Sequence, residues 1–464
     1  MKQLMRNLKL MLIFFLVLSL ALLAGLVIQQ YRSKNILYVA AGENKAALRD
    51  RYAQAGSIYS ADGVALATSQ SGERTYAKDK TLAQAVLHVV GDYTHNIDNT
   101  IEARYQAELM GSGRNILHQF ALDFLGKGLL GDNVHLTLDS RISKRAYQLL
   151  QGKRGAIILL NYQTGALLAS VSAPSTSPES VIAFKGFPDT SLFNRAIRGS
   201  YAPGSTFKVV TTAAFMESPG FNPELVVDCK GKSTVAPNGA DESDSGHGKV
   251  NLASAFSRSC NVYFGEIGAD LGPDALTAAA TRLGWLDLIT IDRINASRAK
   301  LFAPNDLTAL SWLAIGQPSG ESQLAVSPLQ LAMLAGAIGN GGVMQQARII
   351  DHLQDPLGRN YQVMKAEPLK TVMSAEEAKA IEKLMIATVA SGTGTSARVS
   401  GTTIAGKTGT VEVEGQKNNA LFIGYVADQK HPYAIAVVVE EGGSGGSAAA
   451  PLAAQLLRTA LSLE

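Results

Sequence analysis

Cysteine is nearly absent. Cys229 and Cys260 are the only two in 464 residues. A disulfide framework is thereby excluded, and two thiols make no metal cluster by spacing alone. A single bridge and two buried thiols both stay open, since unpaired cysteine behaves as a small hydrophobe. Charge is also scarce, at 17% Asp, Glu, Lys and Arg with a net of +3. No basic stripe alternates with aromatics, so a nucleic-acid partner is excluded. Repeats and long low-complexity tracts are missing. The chain is nevertheless 46% hydrophobic, enough to bury a sizeable core in two or three domains.

The N-terminus carries a run that charge does not interrupt, Leu10 to Ile28, preceded by Lys2, Arg6 and Lys9. Nineteen apolar residues match the roughly 30 Å of bilayer hydrocarbon as a helix. A cleaved signal peptide would have a shorter run and a small-residue cleavage site. Neither is present, nor is a cysteine that could be lipidated, so an uncleaved anchor is expected and a signal peptide is the alternative. Arg32 and Lys34 weaken the charge bias, but only the downstream side carries a domain. The expected division is a cytoplasmic stretch 1–9, a transmembrane anchor 10–28, a juxtamembrane and pedestal region 29–140, and a catalytic domain 141–464 outside the membrane.

Within 31–55, charge mixed with alanine reads as a juxtamembrane helix or linker. Ser57 to Ala67 reads as a β-hairpin around Asp62-Gly63. Residues 80–130 read as helical pieces. Gly155 to Val171 reads as two apolar strands around a Thr164-Gly165 turn. Residues 205–400 read as mostly helical, with a loop-like insert over 217–250. Strands return at Gly406–Val413, Ala420–Val426 and Tyr433–Glu440, followed by a glycine-rich loop, Gly442–Gly446, and a last helix, Pro451–Leu463. Strands at both ends with helices between them predict one α/β domain from about 140 to 464, behind a small β-containing module.

Three short motifs carry chemistry. The first is Pro203-Gly204-Ser205-Thr206-Phe207-Lys208. A Pro-Gly turn opens a helix, so Ser205 falls in the first turn, where unpaired N–H groups and the dipole favour a developing anion. Lys208 lies one turn along the same face. It can activate the hydroxyl if burial holds it neutral. Serine and lysine three apart are common by chance, as Ser297-Arg298-Ala299-Lys300 shows, but that copy lacks the Pro-Gly turn. The second motif, Ser259-Cys260-Asn261, offers a proton relay and an amide binder, although Ser and Asn also cap helices routinely. The third is Lys407-Thr408-Gly409-Thr410 entering a strand. Gly409 permits close approach to the backbone, Lys407 supplies a point charge for a carboxylate, and Thr408 a hydroxyl. By itself it also reads as an ordinary edge strand with a solvated lysine.

Together the motifs run S-x-x-K, S-x-N, K-T-G, the order of penicillin-binding proteins and class A β-lactamases. The chain resembles class B penicillin-binding proteins, the monofunctional peptidoglycan D,D-transpeptidases, over almost its whole length. Leu192-Phe193-Asn194-Arg195-Ala196, Ser327-Pro328-Leu329-Gln330-Leu331-Ala332, Gly339-Asn340-Gly341-Gly342 and Gly424-Tyr425 resemble the family's flanking segments. Ile58-Tyr59-Ser60-Ala61-Asp62-Gly63, Ile101-Glu102-Ala103-Arg104-Tyr105 and Leu109-Met110-Gly111 resemble its pedestal. The pedestal is short, no C-terminal accessory module is expected, and Ala55 stands where the family has an arginine before the first pedestal glycine, Gly56.

The resemblance implies an antiparallel sheet flanked by helices, with an inserted, mostly helical subdomain. It implies a substrate ending in D-Ala-D-Ala, attack by Ser205 activated by Lys208, and relay through Ser259. Asn261, Lys407, Thr408, Gly409 and Thr410 would bind substrate. The backbone N–H groups of Ser205 and Thr410 would form the oxyanion hole. No metal or organic cofactor is expected. β-Lactams are expected to acylate Ser205, and a polytopic glycan polymerase to meet the membrane span. His247 is a candidate for the site rim and the 442–446 loop for the acceptor side, while Glu412 and Glu414 read as solvated. The same motifs also fit a D,D-carboxypeptidase or a serine β-lactamase. A β-lactam sensor would need further spans and a cytoplasmic signalling domain, and an idle scaffold would not need every motif residue.

Overall fold

The structure, a computed structural model, describes residues 2–35, 52–70, 72–188, 190–236, 239–240, 246–413 and 415–463. The apolar run lies on one helix, Lys2–Asn35. Its Leu, Ile, Phe and Val side chains from Leu10 to Val27 are exposed, so nothing in the protein covers them. A helix apolar all round needs an apolar surrounding. Most of the expected juxtamembrane segment, 36–51, lies outside the described residues.

The central sheet is antiparallel and five-stranded. In spatial order its strands are Ile404–Val411, Asn419–Val426, Tyr433–Glu440, Arg154–Asn161 and Leu167–Ala173. Antiparallel strands with one wet face alternate apolar and polar residues. These do not, because both faces are covered. Ala156, Ile158 and Leu160 enter one core with Leu421, Ile423 and Ala436. Ile157 and Leu159 enter the other with Phe422, Ile435 and Val437. The helices Ser140–Leu149 and Ala450–Leu461 close this second face. Pro328–Gly339 closes the first, with all 12 residues buried. Each aliphatic side chain so buried contributes about 1.5–3 kcal/mol, and the layer fixes the strand that bears Lys407.

The hairpin around Asp62-Gly63 forms as read, with Ile58–Tyr59 antiparallel to Ala65–Gln70. Between 205 and 400 the chain departs from a mostly helical reading. Short strands pair at 290–295, 300–325 and 343–371, each too brief to show a period-two pattern. One of these insertions leaves the catalytic layer altogether. Ile350–Gln354 pairs with Asn133–Leu136 and, with Asn360–Tyr361, completes a six-stranded sheet otherwise built before residue 137. The His135 and His352 rings stack across that joint with centroids 4.2 Å apart. The same sheet carries a buried ion pair, Arg74 Nε to Glu102 Oε1 at 2.8 Å. Arg74 Nη1 also donates to Gly56 O at 2.7 Å, so an arginine reaches this glycine although Ala55 precedes it.

The helix Lys80–Val90 joins the two regions. His88 Nε2 donates to Ser191 O at 2.8 Å, and Asn194 Nδ2 donates to His88 O at 3.0 Å. Burial pushes the His88 imidazole down to about 4, and its buried Nδ1 has no partner among the described residues. A proton there would be an uncompensated buried charge. The folded value lies below the ordinary 6.5, so acid binds the unfolded state first. Stability should therefore fall as pH drops from about 6.5 toward 4, by roughly 3 kcal/mol at 1.36 kcal/mol per unit. His88→Gln keeps a donor for Ser191 O and should flatten that part of a melting-temperature profile. An unchanged acid slope would refute the assignment.

Candidate active site

The nucleophile motif folds as a 3-10 turn, Gly204–Phe207, that runs into the helix Lys208–Glu217. Gly204 has φ +54°, and a Cβ there would lie 2.5 Å from Thr410 O. Glycine is thus required both by the left-handed backbone and by the contact. That contact packs the Ser205 turn onto the Lys407 strand. Gly409 presses from the other side, where a Cβ would come within 2.9 Å of Pro203 O.

The second motif is the corner between two helices, Leu252–Arg258 and Asn261–Arg282. Ser259 closes the first helix in the left-handed region, φ 60° and ψ 39°. A non-glycine residue held so is strained, and such strain gathers at functional sites. Cys260 caps the second helix, accepting from Tyr263 N. The corner turns three oxygens onto one amine. Lys208 Nζ donates to Ser259 O at 2.6 Å, Asn261 Oδ1 at 2.7 Å and Ser259 Oγ at 3.2 Å. Lys407 Nζ donates to the same Ser259 Oγ at 2.8 Å and to Thr408 O at 3.2 Å. Ser259 therefore bridges two fully buried lysines.

Burial, and then the neighbouring Lys208, push Lys407 well below its ordinary value of 10.5. The amine of Lys407 is held toward neutrality, not as the solvated cation its strand position suggested. Because the folded value lies below the unfolded one, the unfolded chain binds the extra proton. Stability should rise with pH between the depressed value and 10.5. Lys407→Met should remove that rise in an alkaline melting series. A variant that kept the wild-type slope would count against a depressed Lys407.

Ser205, Ser259, Thr393, Thr408, Thr410, Ser444 and Gly446 line a cleft of about 330 Å³. The fold thus gathers Ser205, Lys208, Ser259, Asn261, Lys407, Thr408, Gly409 and Thr410 around one opening, with the lysines, Asn261 and Gly409 behind its wall. Thr393 was not visible as a site residue. Its Oγ1 lies 2.6 Å from Thr408 Oγ1. The Ser391-Gly392-Thr393-Gly394 stretch at the end of the helix Ala375–Ser391 is the one signal that could have found it. The 442–446 loop reaches the cleft through Ser444 and Gly446, and Gly445 N donates to Thr410 Oγ1 at 3.2 Å. His247 is not in this lining. It sits with its Nδ1 3.8 Å from Cys229 Sγ. Glu412 is exposed, and Glu414 lies outside the described residues. Behind the approach segment, buried Arg195 and the Tyr201 hydroxyl both bind Glu440 Oε1 at 2.8 Å, tying that segment to the sheet.

The model of the penicillin binding protein transpeptidase domain matches residues 155–458. The chain belongs to the penicillin-binding protein transpeptidase family. Within it this is a class B penicillin-binding protein, a serine transpeptidase. Peptidoglycan D,D-transpeptidase PbpA of Mycolicibacterium smegmatis is 29% identical, over 96% of this chain and 97% of that one. MrdA of Acinetobacter baumannii, also a peptidoglycan D,D-transpeptidase, is 29% identical over 69% of this chain and 52% of its own. Among solved structures, the imipenem acyl-enzyme complex of penicillin-binding protein A from Mycobacterium tuberculosis aligns with a TM-score of 0.78. It is 27% identical and covers 89% of this penicillin-binding protein and all (100%) of its own chain.

Proposed function

We propose that this penicillin-binding protein is a peptidoglycan D,D-transpeptidase that cross-links stem peptides ending in D-Ala-D-Ala through a Ser205 acyl-enzyme. The observation that carries this reading is Ser259 Oγ lying within hydrogen-bond reach of both Lys208 and Lys407 at the wall of the Ser205 cleft. Ser205 Oγ attacks the penultimate carbonyl and gives its proton to Lys208. The oxyanion takes hydrogen bonds from the N–H groups of Ser205 and Thr410, the kind of preorganised contact worth about 3–4 kcal/mol per donor. When the C–N bond breaks, Ser259 protonates the departing D-Ala amine and is refilled with the proton that Lys208 took from Ser205. Asn261, held by Lys208, orients the peptide amide. Thr408 and Thr410, on the cleft wall, receive the terminal carboxylate with Lys407 behind them. An acceptor amine then attacks the ester, loses a proton to the same relay and releases Ser205.

β-Lactams enter the same sequence and stop at the ester. Fluorescent penicillin, followed by mass spectrometry of the digest, should place one adduct on Ser205. Steady turnover of nitrocefin instead of a stoichiometric adduct would favour a β-lactamase. The helix Lys2–Asn35 anchors the protein in the cytoplasmic membrane with the catalytic part on the outer side. Its span also docks a polytopic glycan polymerase. Co-purification with that polymerase should disappear when Leu10–Ile28 is exchanged for an unrelated span, and persistence would refute the docking.

A further inference from the structure

One helix of the first module turns its apolar side outward. In Ile116–Phe124 only Leu122 is buried. Leu117, Phe120 and Phe124 recur at helical spacing on the opposite side and are exposed, Leu117 at 79% and Phe124 at 93%. Leu125 and Leu129, just after the helix, are exposed as well. The polar side faces the fold. His118 Nε2 lies 3.2 Å from Asp355 Oδ2, Gln119 Nε2 donates to Gly128 O at 2.9 Å, and Lys127 Nζ donates to Pro356 O at 3.2 Å. A helix packed on a water-soluble body shows the reverse arrangement. So many large apolar side chains between 117 and 129 exceed the single, scattered exposures of an ordinary surface, and such patches mark contact with protein or membrane.

The base of this segment lies where the chain comes back from its apolar N-terminal helix. Residues 36–51 separate the end of that helix, Asn35, from Tyr52. Fully extended, a stretch of that length reaches at most about 60 Å. Tyr52 is wholly buried, so the fold has begun by that point. Two residues on, Gln54 O accepts from Gly131 N at 2.9 Å, and Gly56 N donates to Leu109 O at 2.8 Å. A Cβ on Gly131 would lie 1.7 Å from Leu109 O and 2.4 Å from Gly56 N. The returning chain is thus clamped between the two ends of the 109–131 segment, and the outward-turned helix is carried on that clamp.

We propose that residues 116–129 lie in the interface of the phospholipid bilayer, as a second membrane contact beside the span. A helix of this kind buries its apolar face roughly 5–10 Å into the boundary between headgroups and acyl chains. The occupant is lipid and not a second copy, because the same chain is held at the bilayer by a short connection whose first folded residues are the ones that clamp this segment. One span limits how far the body strays from the membrane. Two contacts also set which way it faces. Asp355 and Pro356, which receive His118 and Lys127, lie in the turn between Ile350–Gln354 and Asn360–Tyr361. Lipid contact therefore orients the six-stranded sheet through that turn. The inference rests on the reading of Lys2–Asn35 as a membrane anchor.

The test uses the full chain with p-benzoylphenylalanine in place of Phe124, irradiated in intact cells. Leu288, 66% exposed on the transpeptidase domain, carries the same group as a control. Mass spectrometry of the digest should find phospholipid adducts at position 124 at least about tenfold above those at 288, as an interfacial side chain differs from one in water. Phe120→Ser/Phe124→Ser should keep stoichiometric penicillin labelling and float with vesicles on its span, yet lose the phospholipid adducts of a p-benzoylphenylalanine placed at Leu117. Adducts that carry protein in place of phospholipid, whether a second copy or a polymerase, would overturn the proposal. Equal lipid labelling at 124 and 288 would also overturn it, as would none at either. Wild type that failed to float would refute the anchor itself, whereas flotation without phospholipid adducts at 124 would refute the interfacial helix alone.

Discussion

Replacing Ser205 with alanine should abolish penicillin labelling and leave the melting temperature unchanged. The Ser205 hydroxyl has no hydrogen-bond partner among the described residues, and the residue is only half-buried at the cleft mouth. Its removal therefore costs the fold little. The loss of acylation should be about 10⁴-fold or more, the scale on which removing a nucleophile acts. Lys208→Ala should lose acylation on a similar scale, and the double variant should be little worse than either single, because the two act as one unit. The single lysine variant should also melt earlier, since three oxygens of the Ser259–Asn261 corner lose their common donor. Stoichiometric adducts on the alanine variant, located anywhere in the digest, would end the Ser205 assignment.

Arg74→Met should destabilise the first sheet by about 3–5 kcal/mol, the cost of stripping one partner from a buried ion pair. Both side chains are wholly buried, at 0% exposure. Burial pushes the Glu102 carboxyl up, and Arg74 only partly offsets it. Without Arg74 that carboxylate has no compensating charge, and Gly56 O loses a donor. The pair is imperfectly satisfied even when intact, since Arg74 Nη2 and Glu102 Oε2 have no partner among the described residues. Arg74→Met/Glu102→Leu should therefore recover most of the loss. Hydrogen exchange over residues 52–140 reads this locally, where a global melt of a multidomain chain would not. A single-variant cost below about 1 kcal/mol, the scale of an exposed pair, would refute the argument.

The catalytic layer was legible because its signals are local and strong. The apolar runs read at 155–171 and 406–440 became the five-stranded sheet, whose strands span 154–173 and 404–440, with Tyr433–Glu440 matching its expected bounds. The Asp62-Gly63 turn likewise announced its hairpin. The Ser205 turn and the Ser259 corner were visible as motifs. What could not be read was which groups face each other. Lys407 read as a point charge for a carboxylate or, from its strand alone, as a solvated lysine, yet burial beside Phe256 turns its amine to Ser259. Thr393 joined the cleft because the end of one helix abuts a distant strand. His247 went to Cys229 because a three-residue hairpin forms where composition showed only a loop. Such contacts are set by tertiary packing between segments far apart in the chain, and periodicity carries no trace of them.

The strand Ile350–Gln354 lies between Asn360–Tyr361 and Asn133–Leu136 in the six-stranded sheet. Its position has a consequence for biogenesis. During synthesis the first sheet stays incomplete, with a bare Asn133–Leu136 edge, until more than 200 further residues have been made. Pairing at so long a sequence separation is slow, and an unpaired edge invites foreign strands in the meantime. A secreted fragment beginning after residue 140 would inherit the opposite half of the problem. It would carry 350–361 as an orphaned hairpin with no native neighbour, and it should aggregate unless residues 52–140 are supplied in trans.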